Sequence, residues 1–362
     1  MSVEEDLASG AVWRDFCRRL EAAGDLILGA APAANDLDRA EGFRYLTRLL
    51  RVALEMNLEW ADPKFPGFYQ ASHLTAKIGA DNPDNHYLNA TVSGFRRYRI
   101  RGRLGTVPIL TFGTKANRYA IDGTMASTGE LGREEMSIDP DGRFEIILSK
   151  EKPPGDVNWL KMADDTTLLV VRQTFSNREA ETRCDMSIAA LDGPAVPAPL
   201  SAEFLAEALA RTNGFVDGTA RTFLRWAELF RAEQFNRLAT IDQTMFWRSG
   251  GDPMIFYLHG YWQLAADEAL VIETAIPQCR AWNFQLNNYW MESLDYRAHR
   301  IHVNEHSARL NLDGTVTVVV AARYPGPGNW IDTAGHSHGT MLWRWTGAAE
   351  HPVPRTSVIK LP

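Results

Sequence analysis

From Pro253 onward the chain falls into one short alternating run after another: MIFYLHGYW, EALVIETAI, AWNFQLNNYW, TVTVVVAARY and TMLWRW. Alternation with period two puts apolar side chains on one face of a strand and polar ones on the other. In TMLWRW, Met341, Trp343 and Trp345 share one face and Leu342 and Arg344 the other. The turns between the runs are rich in Gly, Asp and Pro, and NLDGTV sets Asp313 and Gly314 in the tight positions of a hairpin. Strands at such short spacing leave no room for crossover helices, so the pattern predicts an antiparallel sandwich or jelly roll and not a parallel α/β sheet.

The same signal recurs upstream. FRRYRIRGRLGTVPILTF alternates around a Gly-centred turn as a hairpin would, MSIDPDGRFEIILS repeats the pattern around Asp-Pro-Asp-Gly, and DDTTLLVVRQTF reads as a further strand. Helices are confined to two blocks. In the first, Trp13, Phe16 and Leu20 lie at helical spacing within 12–24. A Pro and Ala break follows. Asn35 then caps a helix with Phe43, Leu46, Leu50 and Leu54 on one face. In the second, the linker LDGPAVPAPL leads to the cap Ser201 and two helices, the latter with Phe223, Trp226 and Phe230 on a stripe. Segregated helices and antiparallel strands define an α+β protein with an antiparallel β-sandwich or jelly-roll-like core. Four segments are expected: an N-terminal helical segment 1–60, a first β region 61–195, a helical connector 196–250 and a C-terminal β domain 251–362. There is no repeat of 20 to 50 residues and no low-complexity tract.

The chain has 362 residues, 45% of them hydrophobic, and a net charge of -7. The acidic balance argues against nucleic acid as a partner. Cys17, Cys184 and Cys279 are far apart and form no CxxC, which suits reduced thiols in a cytoplasmic protein. The start, MSVEEDLASG, is acidic and lacks the apolar region of a secretory signal, and no long apolar run spells a membrane span. No G-x-G-x-x-G after a strand, P-loop, HExxH, G-x-S-x-G or EF-hand loop is present, so no cofactor is expected. The partner expected is a small molecule or glycan, with homo-oligomerisation left open.

DEALVIE, the later Asp-Gly hairpin and NWIDTAGH…G…RW together resemble the bacterial DUF1214 domain over roughly residues 250–346. Upstream, KIGADNPDNHYLNATV…YRIRGRLGTVPILTF is distantly similar to the DUF1254 segment. The resemblance implies a β-sandwich or jelly roll in which the two β regions pack together. It implies no reaction and supplies no catalytic residues.

Four clusters are candidates for chemistry. In NWIDTAGHSH, Asp332 and His336 suit an acid/base pair, with Asn329 and Trp330 beside them. The alternative is an Asx turn in which Asp332 accepts from the backbone near Ala334. In GADNPDNHY, Asp81 and Asp84 suit a second carboxylate and Asn82 and Tyr87 orienting groups, unless the loop only bonds to itself. His299, His302 and His306 would share a helix face and bind a metal, but on a strand they diverge. Arg97, Arg99, Arg101 and Arg103 alternate along one strand, as either an anion site or a wet sheet face; Arg99, Arg101 and Arg344 are carried as ligand contacts. Trp290 and Asn288 are added as platform and orienting residues. These clusters point to a hydrolase or lyase, of glycoside type among others. It would use cofactor-free acid/base chemistry in a pocket between the two β regions, with Asp332, His336, Asp84 and Asp81 as catalytic candidates. The alternatives are a non-catalytic carbohydrate-binding or assembly module, and a metal-dependent enzyme using His299, His302 and His306.

Overall fold

The structure, a computed structural model, describes residues 2–30 and 35–362; the Pro and Ala break at 31–34 lies outside the described residues. Three helices open the chain, α1 (Val3–Ala8), α2 (Ala11–Gly29) and α3 (Asp36–Leu54), the last running into a π-helical turn at Glu55–Glu59. Asn35 caps α3, accepting from the Asp38 N–H at 2.7 Å. The buried face of α3 is not the expected leucine stripe. It carries Glu41, Tyr45, Leu49 and Val52, while Phe43 is exposed and Leu46 and Leu50 only flank the core. Polar partners elsewhere in the fold, described below, rotate this face inward.

The first β region contains β1 (Asn85–Thr91), β2 (Tyr98–Arg103), β3 (Ile109–Arg118), β4 (Thr124–Gly132), β5 (Arg143–Ser149), β6 (Asn158–Lys161), β7 (Leu168–Thr174) and β8 (Asp185–Ala190). One sheet has the order β1-β7-β3-β4 and the other β6-β5-β2-β8. Ile100, Ile146 and Leu148 from one meet Phe112, Leu169 and Val171 from the other in a buried core. The stretch read as a hairpin at 95–112 is not one. β2 pairs with β5 and β8, β3 pairs with β4 and β7, and the link between them crosses from sheet to sheet. A corner between two sheets aims both strands at one core, so its alternation is the same as a hairpin's.

Next comes α4 (Ala202–Glu233), one helix of 32 residues where two were expected. Ser201 is its N-cap, as anticipated. Gly218 does not break it: a Cβ there would sit 2.0 Å from the Tyr119 carbonyl oxygen, so the glycine permits a close crossing. A short strand β9 (Arg237–Ala239) and helix α5 (Gln243–Trp247) follow.

The second β region contains β10 (Ile255–Gln263), β11 (Glu268–Ala275), β12 (Ala281–Leu286), β13 (His302–Asn304), β14 (Thr315–Ala321), β15 (Asn329–Asp332), β16 (His338–Thr346) and β17 (Arg355–Lys360). Its sheets run β10-β16-β12-β13 and β15-β14-β11-β17. Strand for strand this is the first sandwich again, β1 through β8 mapping onto β10 through β17. Even the parallel pair recurs, β5 with β6 and β14 with β15.

The duplication reaches individual residues at a spacing near 172. Phe112 and Phe284, Gly142 and Gly314, and Arg172 and Arg344 are each 172 apart, and Tyr87 and Tyr257 are 170 apart. The tight turns match: Asp139 N–H donates to Arg143 O and Asn311 N–H to Thr315 O, with Gly142 and Gly314 both at positive φ. So do the Asn-Trp pairs. Asn158 bonds the backbone of Ser137 and Glu145; Asn329 bonds the backbone of Arg309 and Thr317. Trp159 Nε1 donates to Ser149 O and Trp330 Nε1 to Ala321 O. A pair that does the same backbone work twice is part of the frame.

Candidate functional site

The sheets β1-β7-β3-β4 and β10-β16-β12-β13 each turn one face to their own sandwich core and the other to the middle of the molecule. On β10, Leu258 and Trp262 enter the sandwich core while Tyr257 and His259 look into a central cavity. On β16, Met341, Trp343 and Trp345 enter the core while Leu342 and Arg344 look into the cavity, as the alternation of TMLWRW predicted. On β7, Leu169 and Val171 go one way and Leu168, Val170 and Arg172 the other. Helix α4 closes the side with Phe215, Phe223 and Trp226. The cavity measures about 160 Å³.

Its lining is mixed: Phe215, Phe223, Trp226, Phe246, Met56 and Met125 supply apolar surface, and Arg172, Arg344, Tyr87, Tyr257 and the loop 79–85 supply polar groups. The polar groups are register partners, since Tyr87 lies opposite Arg172 and Tyr257 opposite Arg344. The duplication thus places two equivalent Arg-Tyr pairs around one space.

The arginines have unlike partners. Arg172 donates from Nη2 to Gly250 O at 2.5 Å, and its buried Nη1 faces the Asp252 carboxylate at 3.8 Å, with no partner at hydrogen-bond distance. Burial works against its charge, but Asp252 and the nearby tyrosines outweigh that and hold its pKa above the usual value. Arg344 donates to Asn283 Oδ1, Gln285 Oε1 and Ala80 O, all neutral acceptors, and burial lowers its pKa. Beside it, Ala80 and Met291 both hold left-handed backbone conformations, and Ala80 N–H donates to Met291 O at 2.6 Å. Non-glycine residues adopt that conformation at a cost, and two in contact mark a backbone held by its surroundings.

His259 is the other unusual group. It is 2% exposed, stacked between Phe230 at 4.7 Å and Phe246 at 4.6 Å, and its Nδ1 has no hydrogen-bond partner. Burial first, then Arg344, push its pKa well below the ordinary imidazole value, so it is neutral at neutral pH. In the first sandwich the equivalent position on β1 is Asn89, so the imidazole belongs to one half alone.

Several sequence-predicted groupings are corrected. Asp332 and His336 do not pair. Asp332 accepts from Ala334 N–H at 2.9 Å, the Asx turn, and its other oxygen meets His299 Nδ1 at 2.7 Å. His336 Nε2 instead meets Glu41 on α3 at 3.0 Å, and His338 lies 3.1 Å from Asp38 on the same helix. Burial opposes the charge on Glu41 and His336, yet their contact prevails: Glu41 is lowered and His336 raised. This clamp is what turns Glu41 and Asp38 inward.

Asp84 reaches across to the second sandwich, accepting from Asn283, Asn304 and His302 at 2.8, 3.1 and 3.2 Å. Asp81 accepts from Ser293 N–H and hydroxyl, and Asn82 from Asn283 Nδ2 at 2.6 Å. These side chains spend their lone pairs joining the sandwiches, although Asp81, Asn82 and Tyr87 do line the cavity. Asn288 bridges Glu41 and Glu292, and Trp290 is a core residue donating to Asp38 O. Asn329 and Trp330 are the frame pair already described.

The histidines His299, His302 and His306 line one surface pocket with Asp84 but do not gather around a metal position. The first goes to Asp332 and the second to Asp84, and among the described residues no group of three His, Cys, Asp or Glu side chains has metal-binding geometry. Arg101 and, more distantly, Arg99 pair with Glu145 on the solvent side of β2, 2.9 and 3.8 Å away. That is a neutralised wet face. Arg344 alone of the proposed arginines reaches the cavity. Arg172, His259 and Tyr257 belong to no sequence cluster; a lone Arg in LLVVRQT and a lone His in IFYLHGYW are the signals they leave.

Comparison with known proteins accords with this architecture. The DUF1214 family, a protein family of unknown function, matches residues 86–176. That span runs from β1 to just past β7, in the region expected to be similar to DUF1254; residues 250–346, whose motifs resemble DUF1214, are its counterpart in the second sandwich. An uncharacterized protein from Burkholderia cenocepacia, known from its crystal structure, is 52% identical, with 98% of each chain covered and a TM-score of 0.95. A Vibrio parahaemolyticus protein shares the fold at 12% identity, covering 94% of this chain and 100% of its own, with a TM-score of 0.50. None of the curated proteins compared with the chain matches it. The chain belongs to the DUF1214 family. Among the described residues no helix is long and apolar enough to cross a membrane.

Proposed function

We propose that the protein acts on a small organic molecule in the cavity between the two sandwiches, by acid/base chemistry that calls on no cofactor, with His259 as the proton-transferring group. The observation that carries this reading is a neutral, buried imidazole with an unpartnered nitrogen on the cavity wall. A buried polar atom left without a partner costs stability, and such groups concentrate where a ligand or a reaction uses them. Asp332 and His336 do not line this cavity, and each is paired elsewhere. A glycan-binding strip would need tryptophans laid flat at the surface. Trp282 and Trp343 instead stack at 5.0 Å inside the second sandwich.

The test is to incubate the protein with mixed metabolites and follow binding and conversion by NMR, for the native chain and for His259→Gln. Both should bind the same compound and only the native chain should convert it. The native rate should fall as acid protonates the imidazole, below its ordinary value of 6.5. Undiminished conversion by His259→Gln would refute the assignment.

A further inference from the structure

We infer that the cavity takes an organic carboxylate with a compact apolar body, its head on Arg172, Arg344 and Tyr87 and its body against the aromatics of α4. This rests on the cavity being the ligand site and names the class of ligand.

The head group follows from a surplus of donors. Arg172 Nη1 has no acceptor within hydrogen-bond distance, the Asp252 carboxylate lying 3.8 Å away. The Tyr87 hydroxyl accepts from Asn82 N–H at 2.9 Å, and among the described residues its proton goes to no protein acceptor. Arg344 is 4% exposed, and its three contacts are to neutral oxygens. The carboxylates near it are turned elsewhere: Asp81 to Ser293, and Asp84 to Asn283, which relays between Asp84 and Arg344. A buried guanidinium without a directly opposed anion is costly, and a carboxylate supplies acceptors without donors in the geometry a guanidinium matches. Both guanidiniums line the same cavity, each on a strand position directly across from a tyrosine.

The body follows from the apolar part of the lining. Phe215, Phe223, Trp226 and Phe246 offer ring surface and no charge. A cavity of about 150 Å³ holds a benzene-sized molecule, and this one measures about 160 Å³. A single ring or short branched chain bearing one carboxylate fills it.

The experiment is isothermal titration of the full chain with benzoate and cyclohexanecarboxylate, and with benzamide and benzyl alcohol as neutral counterparts. The carboxylates should bind roughly thirty-fold or more tighter than the neutral pair, as expected for hydrogen bonds to charged groups. Tyr87→Phe should narrow that preference several-fold, weakening benzoate more than benzyl alcohol, and it carries the test if Arg344→Met does not fold. Neutral probes binding as tightly as benzoate would overturn the carboxylate inference and leave the cavity as the ligand site. Binding of none of the four would overturn both.

Discussion

Replacing Asn329 with alanine separates a structural from a chemical role for the most conspicuous stretch of the chain. Asn329 is 3% exposed, accepts from Arg309 N–H at 2.7 Å, and donates to Arg309 O at 2.8 Å and Thr317 O at 2.9 Å. Alanine strands one backbone donor and two acceptors around a site water does not readily reach. At about 1 kcal/mol for each lost bond, the cost is about 3 kcal/mol, rising towards 4 if the stranded groups stay dry. For a cooperative unit of one sandwich's size, that lowers the melting temperature by on the order of 10 °C. Differential scanning calorimetry reads the shift directly. Asn158→Ala removes the matching bonds in the first sandwich and should also destabilise, by less, because Asn158 is only half-buried. A shift below about 2 °C for Asn329→Ala would refute the reasoning. So would loss of ligand binding at an unchanged melting temperature.

Two further outcomes are expected. Gly42→Ala, which in an open helix would stabilise, should instead cost about 1–3 kcal/mol in urea denaturation, because the new Cβ would lie 2.6 Å from both Ile27 and Trp290. The Glu41–His336 contact should make stability depend on pH in opposite senses at its two ends. The raised His336 contributes fully below 6.5 and loses its contribution as pH rises through its folded value; the lowered Glu41 contributes fully above 4.5 and loses its contribution as pH falls through its own. The stability gap between the native chain and His336→Gln should therefore be widest between those two values, at about 1–3 kcal/mol, and denaturation melts across pH would show a flat gap if the pair contributes nothing.

Much of the frame was legible in advance. The alternating runs of 253–346 are strands, the Asp-Gly turns are turns, and Asn35 and Ser201 are caps, because each depends on chemistry within a few residues. What failed had a common cause. The alternation of 95–112 is equally correct for a hairpin and for a corner between two sheets. The leucines of α3 lost the inward face to Glu41 and Asp38, whose partners lie nearly 300 residues away. Asp332 and His336 are close in sequence, yet each meets a different partner. The 172-residue repeat was also legible, in paired Asp-Gly turns, Asn-Trp pairs and strand arginines, but at a period far longer than that of solenoid arrays.

The amino-acid sequence by itself therefore determined the local alphabet: which residues extend, which turn, and which side of each strand is apolar. Those are short-range matters of backbone conformation and side-chain period. Only the tertiary structure decided that two copies of one sandwich face each other across a cavity that α4 closes, that Arg172 and Arg344 both line it, and that His259 on its wall keeps an unpartnered nitrogen. Burial and partner choice are set by groups far apart along the chain, and they determine which of many polar residues is spent on holding the fold and which remains available to a ligand.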